Sequence, residues 1–215
     1  MSDATCTDRS SDDRSVRYYD RNASEYAAAT LGVDMSAIYD RFLKRIPLPA
    51  RILDAGCGSG RDVLAFLERG YSVDAFDASS TLCELATRLT GVPVQALRFQ
   101  DLDVEARYEG IWACASLLHV PQTELGGVLE RLIAALKPGG TIYASFKEGA
   151  KERHAPDGRL FLDMSKDRLR AHFAEYPDMT IAELWMSEGE GSHKGLAEWL
   201  NVIATKAPND VSHGA

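Results

Sequence analysis

Residues 52–62 read ILDAGCGSGRD: an apolar run, glycines at 56, 58 and 60, and then the helix-like RDVLAFLER closed by Gly70. A strand that turns through alternate glycines into a helix is the opening unit of an open α/β sheet. The rest of the middle of the chain repeats the alternation. The run YSVDAFD (71–77) precedes a helix over STLCELATRL, with Leu82, Leu85, Ala86 and Leu89 on one face and Gly91 after it. VQALRF (94–99) and IWACA (111–115) read as further strands, and Leu125, Val128, Leu129, Leu132, Ile133 and Leu136 stripe a helix from about Glu124 to Leu136. KPGG ends that helix and TIYASFK starts the next strand. Parallel strands need crossovers of this length, so the spacing predicts an α/β fold with a largely parallel sheet.

Outside this block the pattern changes. Residues 1–15 are polar and read as a disordered tail. Two helices are expected next: one over 16–28, carrying Tyr18, Tyr19 and Tyr26, and one over 35–46. The second has Met35, Ile38, Phe42 and Ile46 in a stripe, Asp34 as its N-cap and Pro47 as its stop. Residues 147–162 are charged and irregular and read as a loop or lid, followed by a helix near 165–173 and strands over 179–187 and 197–206. The expected organisation is one domain over 16–207, with 147–175 as a loop and helix on the substrate side and 208–215 as a tail. A chain of 215 residues with 45% hydrophobic content can bury one substantial core.

A net charge of -8 argues against nucleic acid as a partner, because neutralising phosphates needs an excess of Lys and Arg. No apolar run approaches a membrane span, and the start, MSDATCTDRSSDDRS, lacks the apolar core of a signal peptide, so the expected location is cytoplasmic. Cys6, Cys57, Cys83 and Cys114 are scattered and form neither a zinc pattern nor a disulfide framework, and no metal is expected. Nothing in the sequence specifies an oligomeric state.

The glycine turn departs from the dinucleotide rule. That rule wants G-x-G-x-x-G, but position 61 is Arg61 and the third glycine is Gly60; no G-K-[ST] follows, which excludes a P-loop. Asp54, just before the turn, would repel a pyrophosphate and suits a cationic or amino-bearing group. Asp77, ending the second strand, can accept both hydroxyls of a ribose, although aspartate there also suits an N-cap for the helix starting near Ser79. The expected cofactor therefore has a ribose, an adenosine in this reading, and a cationic or zwitterionic tail.

ILDAGCGSGRD, VDAFDAS, RFQDLD, IWACASLLHVP and LKPGG, taken together over residues 15–206, resemble the class I S-adenosylmethionine-dependent methyltransferases. More narrowly, the chain is similar to small bacterial members described as tellurite-resistance-related, a grouping that fixes no substrate. The resemblance implies a Rossmann-like, seven-stranded, mixed but mostly parallel sheet with helices on both faces. It implies S-adenosyl-L-methionine as cofactor and S-adenosyl-L-homocysteine as product. It places Asp54, Gly56, Cys57, Gly58 and Gly60 at the cofactor turn, Asp77 and Ala78 at the ribose, and Asp101 and Leu102 against adenine. Ala115 and Ser116 fall near the methionine moiety. Residues 16–46 become a helical lid, with Tyr19 and Tyr26 over the cofactor and Tyr18 on the substrate side.

The sequence also narrows the chemistry. ACASLLH stands where an [DNS]-P-P-[YF] motif would mark amide or exocyclic-amine methylation, no Pro-Cys pair marks pyrimidine C5 transfer, and acidic ligands for a magnesium-dependent catechol type are missing. The expected reaction is metal-independent, in-line transfer to oxygen, nitrogen or sulfur of a small molecule, driven mainly by proximity and orientation. His119, just past the fourth strand, is the candidate general base or substrate-orienting group; its alternative is a loop-shaping bond to a backbone carbonyl. Cys114 reads as packing. Lys147, Glu148, Arg153, Arg159 and Asp163 leave the fifth strand above the pocket; Arg159 could fork onto an anionic substrate or pair with a local carboxylate, and Trp199 could line the pocket or pack the last strand. The rival functions are a protein or RNA methyltransferase and a non-catalytic S-adenosylmethionine-binding protein.

Overall fold

A computed structural model describes residues 9–190 and 196–209. Helices α1 (Arg9–Thr30) and α2 (Ser36–Leu43) precede β1 (Arg51–Ala55), α3 (Arg61–Glu68), β2 (Ser72–Asp77), α4 (Ser80–Thr90) and β3 (Val94–Ala96). Then follow β4 (Tyr108–Ala113), α5 (Gln122–Ala135), β5 (Leu136–Lys147), β6 (Glu152–His154), β7 (Leu160–Leu162), α6 (Lys166–Ala174), β8 (Met179–Glu190) and β9 (Leu196–Lys206).

Seven strands form one sheet in the order β3-β2-β1-β4-β5-β9-β8. β1 to β5 pair in parallel, while β9 runs antiparallel to both β5 and β8. This is the Rossmann-like mixed sheet with helices on both faces. Because the chain runs outward from β1 to β3 and then crosses back to β4, the strand order reverses between β1 and β4. A crevice opens there at the carboxyl ends of the strands.

Alternation along β1 feeds two cores. Ile52 packs with Phe42, Ile46, Val63, Phe66 and Trp112 on the face covered by α2 and α3. Leu53 and Ala55 pack with Leu125, Leu129 and Leu132 of α5 and with Phe173 of α6 on the other face. Trp112 stacks on Tyr143 with ring centroids 4.0 Å apart, and its indole N–H donates to Asp62 at 2.7 Å.

Several expected boundaries shift. α1 begins at Arg9, so residues 9–15 of the expected tail are helical and Ser15 is buried; residues 1–8 and 210–215 lie outside the described residues. α1 is also kinked, with Asn22 outside helical geometry (φ -113, ψ 15). α2 stops at Leu43 rather than at 46, and its N-cap is Met35; Asp34 instead accepts the Ser36 N–H at 2.9 Å. On α4 the buried face is Leu82, Cys83 and Ala86, and Leu89 is 41% exposed, because the helix is rotated so that the Cys83 thiol meets the strand ends. β4 starts earlier, at Tyr108, and β5 at Leu136, directly after α5. The segment expected as loop carries an antiparallel pair, with His154 opposite Leu160 and Glu152 opposite Leu162. Local polarity hid it: β6 is exposed on one side of the pair, whereas Leu160, Phe161 and Leu162 are buried.

Candidate active site

The three glycines each admit a different neighbour. All have positive φ: 78° at Gly56, 55° at Gly58 and 84° at Gly60. A Cβ on Gly56 would stand 2.5 Å from the Cβ of Ser116, at the end of β4; one on Gly58 would stand 3.0 Å from Tyr26 Cε1 of α1. A Cβ on Gly60 would stand 2.9 Å from the Ala86 Cβ, so Gly60 supplies the close helix approach, here of α3 to α4. The turn is tied to β2. Gly56 and Cys57 donate their N–H groups to the Phe76 carbonyl, and Gly58 donates to Asp77 Oδ2 at 2.9 Å. Gly56→Ala combines left-handed strain with overpacking and is expected to cost about 2–5 kcal/mol in urea unfolding. Gly91→Ala meets nothing within 4 Å and has φ of 73°, so it is expected to cost about 1–2 kcal/mol from strain alone.

A cavity lies in the crevice beneath α1. Of the expected cofactor positions, Gly56, Gly58, Asp77, Ala78, Ala115, Tyr19 and Tyr26 line it, as does Ser116. Asp54, Cys57, Gly60, Asp101 and Leu102 do not. Asp54 is buried with Oδ2 lacking any hydrogen-bond partner, and burial together with the Asp62 carboxylate raises its proton affinity. Cys57 is buried in the core. Asp101 is exposed and Leu102 packs in the other core, because the chain turns inward two residues earlier. Leu97, Phe99 and Gln100 stand on the wall there, Phe99 edge-on to Phe76 at 5.2 Å. The aromatic residues of VDAFD and RFQD were the available signal, overshadowed by the carboxylates beside them. Ala115 takes φ of 50°, rare for a residue with a Cβ, and its N–H donates to Ser145 Oγ at 2.8 Å.

Asp77 is not the cap of α4; Ser79 is, accepting the Leu82 N–H at 3.1 Å. The Asp77 carboxylate instead faces the cavity, with Oδ1 accepting the Ser79 N–H at 2.8 Å. Burial raises its proton affinity against the pull of these backbone bonds. Ser79 also holds the roof: its hydroxyl donates to Asp20 of α1 at 2.6 Å, and Asp20 accepts the Thr81 N–H at 3.3 Å. Ser79→Ala removes a cap and a tether together and is expected to cost about 1–2 kcal/mol. Faster amide exchange over residues 15–30 would be its signature.

His119 lines the cavity at the inner end of this roof. Its Nδ1 lies 2.6 Å from the Leu160 carbonyl, which can only accept, so Nδ1 carries the hydrogen. Nε2 then accepts from the Tyr19 hydroxyl at 2.8 Å, and Arg159 Nη1 donates to the same hydroxyl oxygen at 3.4 Å. Burial pushes the His119 pKa down to about 4, with Arg159 and Lys147 adding to the effect and the Leu160 carbonyl opposing it. Burial pushes the Tyr19 phenol up to about 12 against the pull of Arg159. At neutral pH the imidazole is therefore uncharged, with its one hydrogen on Nδ1, and the phenol keeps its proton.

Tyr18, Lys147, Arg159 and Trp199 do not line the cavity; they sit behind His119, around the β6–β7 pair. Arg159 is 1% exposed, forks onto Asp157 at 2.8–3.2 Å and lies 4.2 Å above the Tyr18 ring. Phe161, passed over in the sequence, centres this group and meets the His119 ring at 5.0 Å. Cys114 is half-buried near Arg61 and Ser145. Among the described residues, no group of three or more His, Cys, Asp and Glu is placed to hold a metal ion, and no helix is long and apolar enough to cross a membrane.

A glycine cradle with no room for Cβ atoms, an aromatic wall and a buried carboxylate on the cavity face suit a nucleoside cofactor with free ribose hydroxyls and no pyrophosphate. Residues 52–140 match the family model "Methyltransferase domain". A ubiquinone biosynthesis O-methyltransferase from Xylella fastidiosa is 32% identical over 115 residues, 49% of this chain and 46% of that protein. A trans-aconitate 2-methyltransferase from Methylobacterium nodulans is 27% identical over 186 residues, 74% and 70% of the two chains. The chain thus spans about half of the first relative's length. The structure of Burkholderia thailandensis 1,6-didemethyltoxoflavin-N1-methyltransferase, with that compound and S-adenosylhomocysteine bound, superposes with a TM-score of 0.69 at 27% identity. The match covers 89% of this chain and 88% of that one. The match to a methyltransferase domain over residues 52–140 and the fold shared with an S-adenosylhomocysteine-bound methyltransferase are what this chain has in common with such enzymes.

Proposed function

We propose that the protein transfers a methyl group to an oxygen, nitrogen or sulfur atom of a small molecule. One observation carries the small-molecule reading: α1 roofs the cavity, and Tyr19 and Tyr26 reach down to His119 and Gly58, so only a compact acceptor fits beneath it. The relatives are named for ubiquinone biosynthesis, for trans-aconitate and for 1,6-didemethyltoxoflavin, which supports a small-molecule acceptor. The tellurite-resistance-related grouping remains a proposal from motif resemblance alone.

When bound, S-adenosylmethionine supplies an electrophilic methyl group. Gly56, Gly58, Asp77, Ala78, Phe99, Ala115 and Tyr26 would hold it, Asp77 accepting from ribose hydroxyls. The roof excludes water and fixes orientation, the principal source of rate for such a displacement. His119 Nε2 takes the acceptor's proton, either directly in place of the Tyr19 hydroxyl or through that hydroxyl. The Leu160 carbonyl keeps the imidazole in the tautomer whose free lone pair faces the cavity. In-line, metal-independent transfer needs no further group. The location proposed is the cytoplasm.

The test is methyl transfer from isotope-labelled S-adenosylmethionine into fractionated bacterial extract. Enzyme-dependent label in the small-molecule fraction supports the reading. Label in protein or RNA, or no label despite tight cofactor binding, contradicts it in favour of the macromolecular or non-catalytic alternative.

A further inference from the structure

Around Tyr19 nearly all the hydrogen-bonding capacity is assigned. A neutral imidazole has one donor and one acceptor. In His119 the Nδ1–H goes to the Leu160 carbonyl at 2.6 Å, and Nε2 accepts the Tyr19 hydroxyl hydrogen at 2.8 Å. The imidazole therefore has no lone pair left for a methyl acceptor. The Tyr19 oxygen accepts from Arg159 Nη1 at 3.4 Å, which turns the hydroxyl hydrogen away from the guanidinium and towards Nε2. Among the described residues nothing takes the second lone pair of that oxygen, and Tyr19 lines the cavity. The phenol is also hindered from swinging aside to uncover Nε2. Its ring packs edge-on against Tyr18 at 5.4 Å, Tyr26 at 5.1 Å and His119 at 5.3 Å.

Arg159 is built into the fold behind the phenol. It is 1% exposed, forks onto Asp157 and lies 4.2 Å above the Tyr18 ring, so the guanidinium is held in place while it donates to Tyr19. A guanidinium keeps its protons, so it stabilises charge growing on the phenol oxygen without carrying the proton itself. Resting on the methyl-transfer reading, we propose that Tyr19 takes the acceptor's proton while passing its own to His119 Nε2, and that Arg159 positions the phenol for this exchange. The acceptor atom, freed of its hydrogen, bonds to the methyl carbon as the methyl–sulfur bond breaks. That electron pair stays on sulfur, which becomes a thioether, and the positive charge lost there reappears on His119. The Phe161 ring, 5.0 Å from that imidazole, carries three cations: Lys147 Nζ at 4.7 Å, Arg153 Cζ at 4.8 Å and Arg159 Cζ at 5.1 Å. Their field disfavours a lasting imidazolium. Once product leaves, the extra proton returns through Tyr19 to water, and the pair is reset.

The test purifies the small molecule labelled in the extract and follows its single-turnover methylation in mixtures of light and heavy water at saturating S-adenosylmethionine. In the wild-type protein the rate is expected to fall along a bowed line with deuterium content, the signature of two protons moving together. Tyr19→Phe is expected to lower kcat about 10²-fold, the low end of the range for general acid–base catalysis. Its KM and S-adenosylhomocysteine affinity should stay nearly unchanged, because the ring is kept. The double variant Tyr19→Phe/His119→Ala should be no slower than the slower single variant, since both substitutions act on one proton path. Arg159→Met is expected to lower kcat about 10-fold at nearly constant KM, and Arg159→Lys should restore most of it. A straight line in the wild-type protein, full kcat in Tyr19→Phe or in Arg159→Met, or additive losses in the double variant overturns the proposal while leaving methyl transfer intact. Loss of S-adenosylhomocysteine binding in Tyr19→Phe does the same, by making the hydroxyl a cofactor contact. No labelled small molecule in the extract overturns the small-molecule reading itself, and this proposal with it.

Discussion

Asp77→Ala is expected to weaken S-adenosylmethionine binding about 10²- to 10⁴-fold. The carboxylate reaches the cavity while accepting two backbone N–H groups, Gly58 at 2.9 Å and Ser79 at 2.8 Å. These bonds fix it as a rigid acceptor for ribose hydroxyls, and two hydrogen bonds to a charged group contribute about 3–6 kcal/mol. Alanine removes those bonds and leaves the Gly58 N–H unpaired in the turn that cradles the ligand. Asp77→Asn separates the two effects, since it keeps the shape and one accepting oxygen, and an intermediate loss is expected. The sign of the pH effect follows from burial. Because the folded pKa is raised, the folded state binds this proton more tightly than the unfolded chain. Ionising Asp77 therefore destabilises the ligand-free protein as pH rises above the ordinary aspartate value. Bound hydroxyl donors should offset that cost, so cofactor binding should release protons in mildly acidic buffer. Calorimetry in buffers of different ionisation enthalpy measures this release.

His119→Ala is expected to lower kcat about 10²-fold, the low end of the range for general-base catalysis, because an imidazole with a depressed pKa is a weak base. Cofactor affinity should stay normal, since no expected cofactor contact is removed. Full activity with normal binding would eliminate the base role. The pKa of about 4 gives the pH dependence. His119 stays neutral across the physiological range, so its loss as a base should appear only as pH falls towards 4. Between the unfolded value near 6.5 and about 4, the unfolded chain holds the extra proton, so this group costs stability as pH falls through that window. An imidazole NMR titration with its midpoint near 4, absent in the variant, would identify the signal.

How much of this was legible in the sequence depends on the range of the interactions involved. The glycine turn, the αβ alternation and the helix near 165–173 are local, and they fall where the spacing puts them. Asp77 was legible for the same reason, since the end of a strand next to a glycine turn is fixed by the β1–β2 pairing. The early start of α1 was not: Ser15 is buried by a bond from the Leu160 N–H, 145 residues away, and no local signal carries that. The β6–β7 pair was hidden because one strand is exposed and charged. The cavity wall beside Asp101 is formed by residues up to two positions earlier, since only tertiary packing decides whether Phe99 or Asp101 turns inward. His119 was identified from its position, but its protonation and its Tyr19 partner depend on α1 folding back over the sheet. Phe161, the ring that gathers three cations, became visible only in three dimensions.

Equilibrium dialysis of labelled S-adenosylmethionine against the purified protein shows whether the cavity beneath α1 is an S-adenosylmethionine site. One saturable site per chain is expected, displaced by S-adenosylhomocysteine, unaffected by excess NAD, and lost in Asp77→Ala at the same ligand concentration. No saturable binding to the wild-type protein, or binding that Asp77→Ala leaves unchanged, would contradict it.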